Sequence, residues 1–390
     1  MGGNMDLWLT NIVLAGVVSM AFTCFLLPKI LLVSFKKRLF DPVDSRKVHQ
    51  GIVPRLGGIA FMPALFFALL LLLGVDTAFG RSWLWYDIQQ NIIKISFGCC
   101  ALLVLYLMGI IDDMIGVRYK VKFLVQALCG VMLVSAGMEM ENLCGLFGIY
   151  SMWMPISVML TVLVVVFIVN AINLIDGIDG LASGLSIVAL SYYGFVFIAI
   201  GEYAFSLVAF AVVGTLLPFF YYNVFGNVNR GRKIFMGDTG SLTIGFILAF
   251  CALDILDVEV SRSMPETFGT SPVVLAFAPL LVPCMDVVRV FLSRIRRGAN
   301  PFKPDKNHIH HKLLAIGFSP RWSLIIILVL SGVLALSNIL LGRMLDINIL
   351  LCGDILLYVG FVSWLNWKRG RKEKQKRQIR PIAGVDAGQA

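Results

Sequence analysis

MPISVMLTVLVVVFIV-NAINLIDGIDGLASG-LSIVALSYYGFVFIAI, residues 154–200, decides how the chain is built. Two apolar runs, Met154 to Val169 and Leu185 to Ile200, flank a polar ladder. In it Asn170, Asn173, Asp176 and Asp179 recur every three residues, among Gly177, Gly180 and Gly184. Apolar runs of this length cross bilayers. A central Asp in such a segment costs about 2.5 to 3.5 kcal/mol on the insertion scale. The ladder is therefore either a helix end in the headgroup region or a site. Steps of three lag by about 60° on an α-helix, so positions 170 and 179 would face opposite ways on an unbroken one. If all four side chains converge, the helix must end or distort near Gly177 or Gly180. Such backbone is tolerated at that depth only where protein buries it or it lines a wet cavity.

The rest of the chain repeats the apolar pattern. Its 390 residues are 58% hydrophobic and 14% charged, with a mean hydropathy of +0.86. A soluble protein carries nearer a quarter charged residues. The reading is an all-α polytopic membrane bundle of about eleven spans: 7–35, 57–75, 92–111, 121–138, 153–175, 185–200, 204–222, 240–256, 273–293, 322–341 and 348–366. The first run lacks a basic leader and is too long for a signal peptide, so it counts as a span. Residues 1–367 read as one integral membrane domain and 368–390 as a basic tail.

Lys and Arg set the orientation. Loops 36–56, 112–122, 223–241 and 294–321 carry six, three, three and seven, and the tail from Lys368 carries eight. The connections on the other side hold only Arg81, Arg262 and Arg343. The positive-inside rule puts the C-terminus in the cytoplasm and the N-terminus outside. The tail suits anionic lipid, and no stacking aromatics interleave with its charge, which argues against nucleic acid. Trp83, Trp85 and Tyr86 suit an interfacial belt on the outer side. The eight cysteines lie mostly in apolar runs without a CxxC, and read as core residues.

Chemistry concentrates in the inner loops. Arg46, Lys47, His49 and Arg55 gather positive charge before Gly57-Gly58. Asp112-Asp113 puts adjacent carboxylates at a span end, where they repel unless a cation such as Lys120 or Lys122 balances them. Asp238, in FMGDTGS, is either a helix N-cap or a carboxylate offered to a hard cation. In RIRRGANPFKPDKNHIHHKLL, His308, His310 and His311 stand beside Arg294, Arg296, Arg297, Lys303 and Lys306. The cluster lacks zinc spacing and suits an anion clamp. Carboxylates for Mg²⁺ and cations for phosphates are a kit for phosphoryl transfer, and no GxxxxGK[ST] loop is present.

The set Asp112-Asp113, NAINLIDGIDGL, FMGDTGS and PFKPDKNHIHH resembles the polyprenyl-phosphate N-acetylhexosamine-1-phosphate transferases of glycosyltransferase family 4, in order from about Arg46 to His311. The resemblance implies transfer of a sugar-1-phosphate from a UDP-N-acetylhexosamine to undecaprenyl phosphate. UMP is released, with Mg²⁺ as cofactor and Mn²⁺ as a substitute, at the cytoplasmic face of a bacterial inner membrane. The ending HIHH is similar to the branch that uses UDP-GlcNAc to start O-antigen and related glycans. Ile309 interrupts the histidine triplet usual in the phospho-MurNAc-pentapeptide branch, and Lys312 follows where an acid is usual. The implied roles are Mg²⁺ on Asp238 and Asn173, and orientation or deprotonation of the lipid phosphate by Asp112 and Asp113 with Lys122. Asn170, Asp176 and Asp179 would line the nucleotide pocket, and Lys47, Arg294, His308, His310 and His311 would bind substrate.

A transporter is the reading from another class, since intramembrane acids and broken helices are transporter traits. Polar motifs crowd one face here, and the two halves show no matching short segments. Apolar outer faces suit lipid or a second copy alike, so a homodimer is also among the expected assemblies.

Overall fold

The computed structural model describes residues 2–37, 39, 53–81, 83–257, 260, 267–298 and 307–379. Among them every long element is a helix and no strand occurs. In chain order these are α1 Gly2–Lys37, α2 Phe61–Ala78, α3 Trp83–Gln90, α4 Ile92–Ile115 and α5 Tyr119–Ser135. Next come α6 Met154–Ile175, α7 Leu181–Ile200, α8 Tyr203–Phe225, α9 Gly237–Leu256 and α10 Pro272–Phe277. The last are α11 Leu281–Arg296, α12 Ile309–Ile316, α13 Pro320–Leu341 and α14 Ile347–Ile379.

Ten segments among the described residues are long and apolar enough to cross a membrane. The other expected span coincides with α5, whose 17 residues rise about 26 Å, at the short end of what spans a hydrocarbon core. Expected span 273–293 is α10 and α11 joined by a 3-10 turn at Ala278–Leu280, where Pro279 removes a backbone donor. The chain is a multi-pass membrane protein.

α9 is the axis of the bundle. Every residue from Thr239 to Leu256 is buried, with α4 and α6 packed along it. Its hydroxyls are tolerated there because they bond back to their own helix: Thr243 to the Thr239 carbonyl at 2.5 Å and Ser241 to that of Gly237 at 3.0 Å. At its far end buried Asp254 is paired with Lys94 at 3.0 Å. Elsewhere α8 packs against α1 and α7, while α12 rests on α13 and α14. α14 continues as one helix past Trp367 into the basic segment, so the expected boundary at 367/368 falls within a helix. There Lys368 stands 4.5 Å from the Trp364 ring and Arg371 stands 4.1 Å from that of Trp367. All eight cysteines are free.

Candidate active site

The C-terminal turns of α4 and α6, the first turn of α5 and the N-terminus of α9 meet at one end of the bundle. Asp113 accepts three hydrogen bonds from the start of α9. The Asp238 amide reaches Oδ1 at 2.7 Å, and the amide and hydroxyl of Thr239 reach Oδ2 at 2.8 and 2.6 Å. The first N–H groups of a helix have no partner within it, so a carboxylate there satisfies them and complements the dipole. Asp113 thereby seats Asp238.

Asp112 faces the other way. Its Oδ1 accepts from the Val117 amide at 2.7 Å, and its Oδ2 contacts the Lys122 ammonium. The same ammonium lies 3.3 Å from Asp238 Oδ2, so one cation sits between two carboxylates. Asn173 donates to Asp238 Oδ1 at 2.5 Å and to Ser241 Oγ at 2.8 Å. One turn deeper, Asn170 donates to Gln126 Oε1 at 2.5 Å and to the Val166 carbonyl at 2.7 Å. Asn170 thus joins α6 to α5 beneath the carboxylates, where the sequence reading put it on the nucleotide. Asn173 meets Asp238 through its amide nitrogen. A metal would need its carbonyl oxygen, so in this arrangement it orients Asp238.

The ladder breaks where the spacing requires. α6 ends at Ile175, Asp176 leaves helical geometry at ψ 61°, and Gly180 takes φ 79° before α7 begins. That left-handed conformation suits glycine. The Gly180 amide donates to buried Asn223 at 2.6 Å, and Asn223 donates to the Ile234 carbonyl at 2.8 Å, tying the loop to the segment before α9. Asp179 pairs with Lys233 at 2.5 Å. Asp176 keeps access to solvent although protein surrounds it, which places it in a recess. That crowding, with the charges of Asp238 and Asp179, pushes its carboxyl up to about 7, and Arg55 opposes the shift.

The histidines approach the same loop from α12. His310 is 1% exposed, neither ring nitrogen has a partner, and its ring occupies the space where a Cβ on Gly177 would lie. Burial first, then the neighbouring His311 and His308, push it down to about 3, so it is neutral. Its ring is 5.9 Å from that of His308, nearly parallel, and 4.2 Å from that of His311. Burial, then Arg289 and Arg369, push Lys312 down to about 8, and its ammonium donates to Asn366 on α14 at 2.5 Å. Arg294 is buried in the last turn of α11. Lys47, with Arg46, His49, Lys303 and Lys306, lies outside the described residues.

Among the described residues no three His, Cys, Asp or Glu side chains gather as a metal cage. Mg²⁺ is commonly held by one or two carboxylates plus substrate phosphates. Asp112 and Asp238, already sharing a cation, fit that donor set.

Residues 95–256, which contain this carboxylate cluster, match the sequence model described as Glycosyl transferase family 4. The chain is 30% identical over 314 residues to the undecaprenyl-phosphate alpha-N-acetylglucosaminyl 1-phosphate transferase of Yersinia pestis, covering 80% of this chain and 79% of that protein. The chain belongs to glycosyl transferase family 4. The protein of the same name from Escherichia coli K12 is 31% identical over 310 residues, 79% of this chain and 78% of that one. The probable undecaprenyl-phosphate N-acetylglucosaminyl 1-phosphate transferase of Bacillus subtilis is 32% identical over 342 residues, 86% and 87%.

Four polar residues of this family 4 chain escaped the sequence reading. Gln126 and Ser241 complete the layers under Asp238, and Asn223 holds the loop. Asp286 on α11 receives His308, Ile309, Arg289 and Tyr358. Gln126 and Asp286 had a signal, since each is a polar residue inside an apolar span, which by default marks function.

Proposed function

We propose that this family 4 transferase moves an N-acetylhexosamine-1-phosphate, GlcNAc-1-phosphate by preference, from its UDP-sugar to undecaprenyl phosphate, releasing UMP and starting a lipid-linked envelope glycan. The observation that carries this reading is the Lys122 ammonium between Asp112 and Asp238 at a helix junction. The named relatives support the acceptor and the sugar. The site faces the cytoplasm of a bacterial inner membrane, as the Lys and Arg bias of the loops supports.

In the reaction, an oxygen of the lipid phosphate attacks the sugar-bearing phosphorus of the donor. The bond from that phosphorus to the bridging oxygen breaks, and the bridging oxygen leaves with UMP. Asp112 and Lys122 orient the lipid phosphate, while Asp238, steadied by Asn173 and seated by Asp113, faces the donor pyrophosphate. Asp238 and Asp112 would hold Mg²⁺, which when bound would supply charge neutralisation on the phosphates. His308, His310 and His311 border the recess on the sugar and pyrophosphate side, with Arg294 adding charge. The protein contributes positioning and electrostatics rather than a nucleophile. Asp113 is poorly placed for a covalent role, since α9 engages both its oxygens.

The test is UMP release by purified protein given each of several UDP-sugars, with and without undecaprenyl phosphate and Mg²⁺. Release that needs both additions and is fastest with UDP-GlcNAc supports the reading. UMP formed in a burst without lipid would instead establish a covalent two-step route.

A further inference from the structure

We propose that Asp286 is a positioning residue for the reaction: it holds the proton of His308 on Nδ1 and leaves Nε2 as the working nitrogen. This rests on the histidines bordering the substrate recess, as proposed above. Asp286 is fully buried on α11, and its two oxygens divide their partners unequally. Oδ1 accepts from the Ile309 amide at 3.0 Å, from Arg289 at 2.6 Å and from the Tyr358 hydroxyl at 2.9 Å. Oδ2 meets His308 Nδ1 at 2.7 Å. Arg289 also donates to the Asn307 carbonyl at 2.6 Å, so the residue before the histidines is fixed by the same guanidinium. One carboxylate thus joins α11, the start of α12 and α14 around a single imidazole edge.

The tautomer follows from the partners. A carboxylate oxygen only accepts, so Nδ1 must carry a hydrogen whether the ring is neutral or cationic. The opposite nitrogen, Nε2, is then the atom that gains or loses a proton. A ring oriented this way presents an acceptor when neutral and a donor to phosphate oxygen when protonated. The His310 ring lies nearly parallel to that of His308, with centroids 5.9 Å apart.

The unequal division makes Asp286→Asn a specific probe. Three donors on one oxygen will keep the amide carbonyl on that side, so the amide NH₂ turns to His308. Nδ1 must then accept, and the proton moves to Nε2. The α11–α12–α14 junction keeps its three bonds. A merely structural Asp286 would show no such separation.

The experiment is ring ¹⁵N NMR on full-length protein labelled at its four histidines, with His308→Gln used to assign the signal. The wild-type should show His308 protonated at Nδ1, and Asp286→Asn should move the proton to Nε2. In the UMP assay, kcat of that variant should fall about 10- to 100-fold with KM for the UDP-sugar little changed. Tyr358→Phe, which removes an Oδ1 partner only, should keep both the tautomer and kcat. Nε2–H in the wild-type, or a flipped tautomer with unchanged kcat, overturns the proposal. Equal kcat losses in Asp286→Asn and Tyr358→Phe would also overturn it, by making Asp286 a structural hub. A wild-type protein that releases no UMP counts against the proposed function alone, because the tautomer is read without substrate.

Discussion

Lys122 lies 3.3 Å from Asp238 while also contacting Asp112, and so stands where two carboxylates would otherwise face each other without a cation. Removing the ammonium leaves their repulsion to a divalent ion. Lys122→Met should therefore bind Mn²⁺ on the order of tenfold more tightly, read by EPR titration, while losing turnover because the cation proposed to orient the lipid phosphate is gone. Weaker Mn²⁺ binding in that variant would separate Lys122 from the metal position.

Asp112 and Asp113 are neighbours in sequence with different work in the fold. Asp113→Ala strips three donors at the start of α9 of their acceptor, which costs about 1–3 kcal/mol for a buried group left unsatisfied. It should lower both melting temperature and activity. Asp112→Ala should lower activity with little change in melting temperature. Thermal unfolding of both variants in one detergent checks this, and equal stability losses would contradict it.

His310 gives a pH signature to stability. The ring is held neutral down to about 3, whereas an unfolded histidine protonates near 6.5. Between these values the unfolded chain binds more protons, so stability is complete above about 6.5 and is lost as pH falls. At pH 5.5 the loss from this one ring is on the order of 1 kcal/mol. His310→Phe should be less destabilised than the wild-type when pH is lowered from 7.5 to 5.5. Parallel pH dependence of the two melting curves would exclude His310 as the source.

Gly177 tests the join between loop and histidines. A methyl group there meets the His310 imidazole, which is buried with the His311 ring 4.2 Å away and tilted against it, so it has little room to yield. Gly177→Ala should reduce UMP release by tenfold or more while the protein still purifies as a folded species. Pairing it with His310→Ala should restore part of the loss, and strictly additive losses would show that the two sites do not touch.

The helical class, the break after Ile175 and the common end shared by Asp112, Asp176, Asp238 and the histidines were all legible in the sequence. They rest on run length, glycine placement and loop charge, which are local or summed properties. What the ladder could not reveal was how its members divide. Asn170 and Asn173 look equivalent at spacing three, yet one turn of helix separates a partner of Gln126 from a partner of Asp238. Asp112 and Asp113 differ because only one of them lies against the start of α9, a contact across more than a hundred residues. Lys120 and Lys122 read alike as balancing charges, but only Lys122 meets Asp112 and Asp238, while Lys120 is exposed.

The proposed reaction centre is the pair of carboxylates joined by Lys122, and the variant Asp238→Asn probes it without changing its shape. The variant keeps the volume and the Asn173 contact but removes the charge. Purified and folded, with a melting temperature close to that of the wild-type, it should lose at least about 100-fold in Mg²⁺- and lipid-dependent UMP release. Turnover equal to that of the wild-type would place the reaction centre elsewhere in the chain.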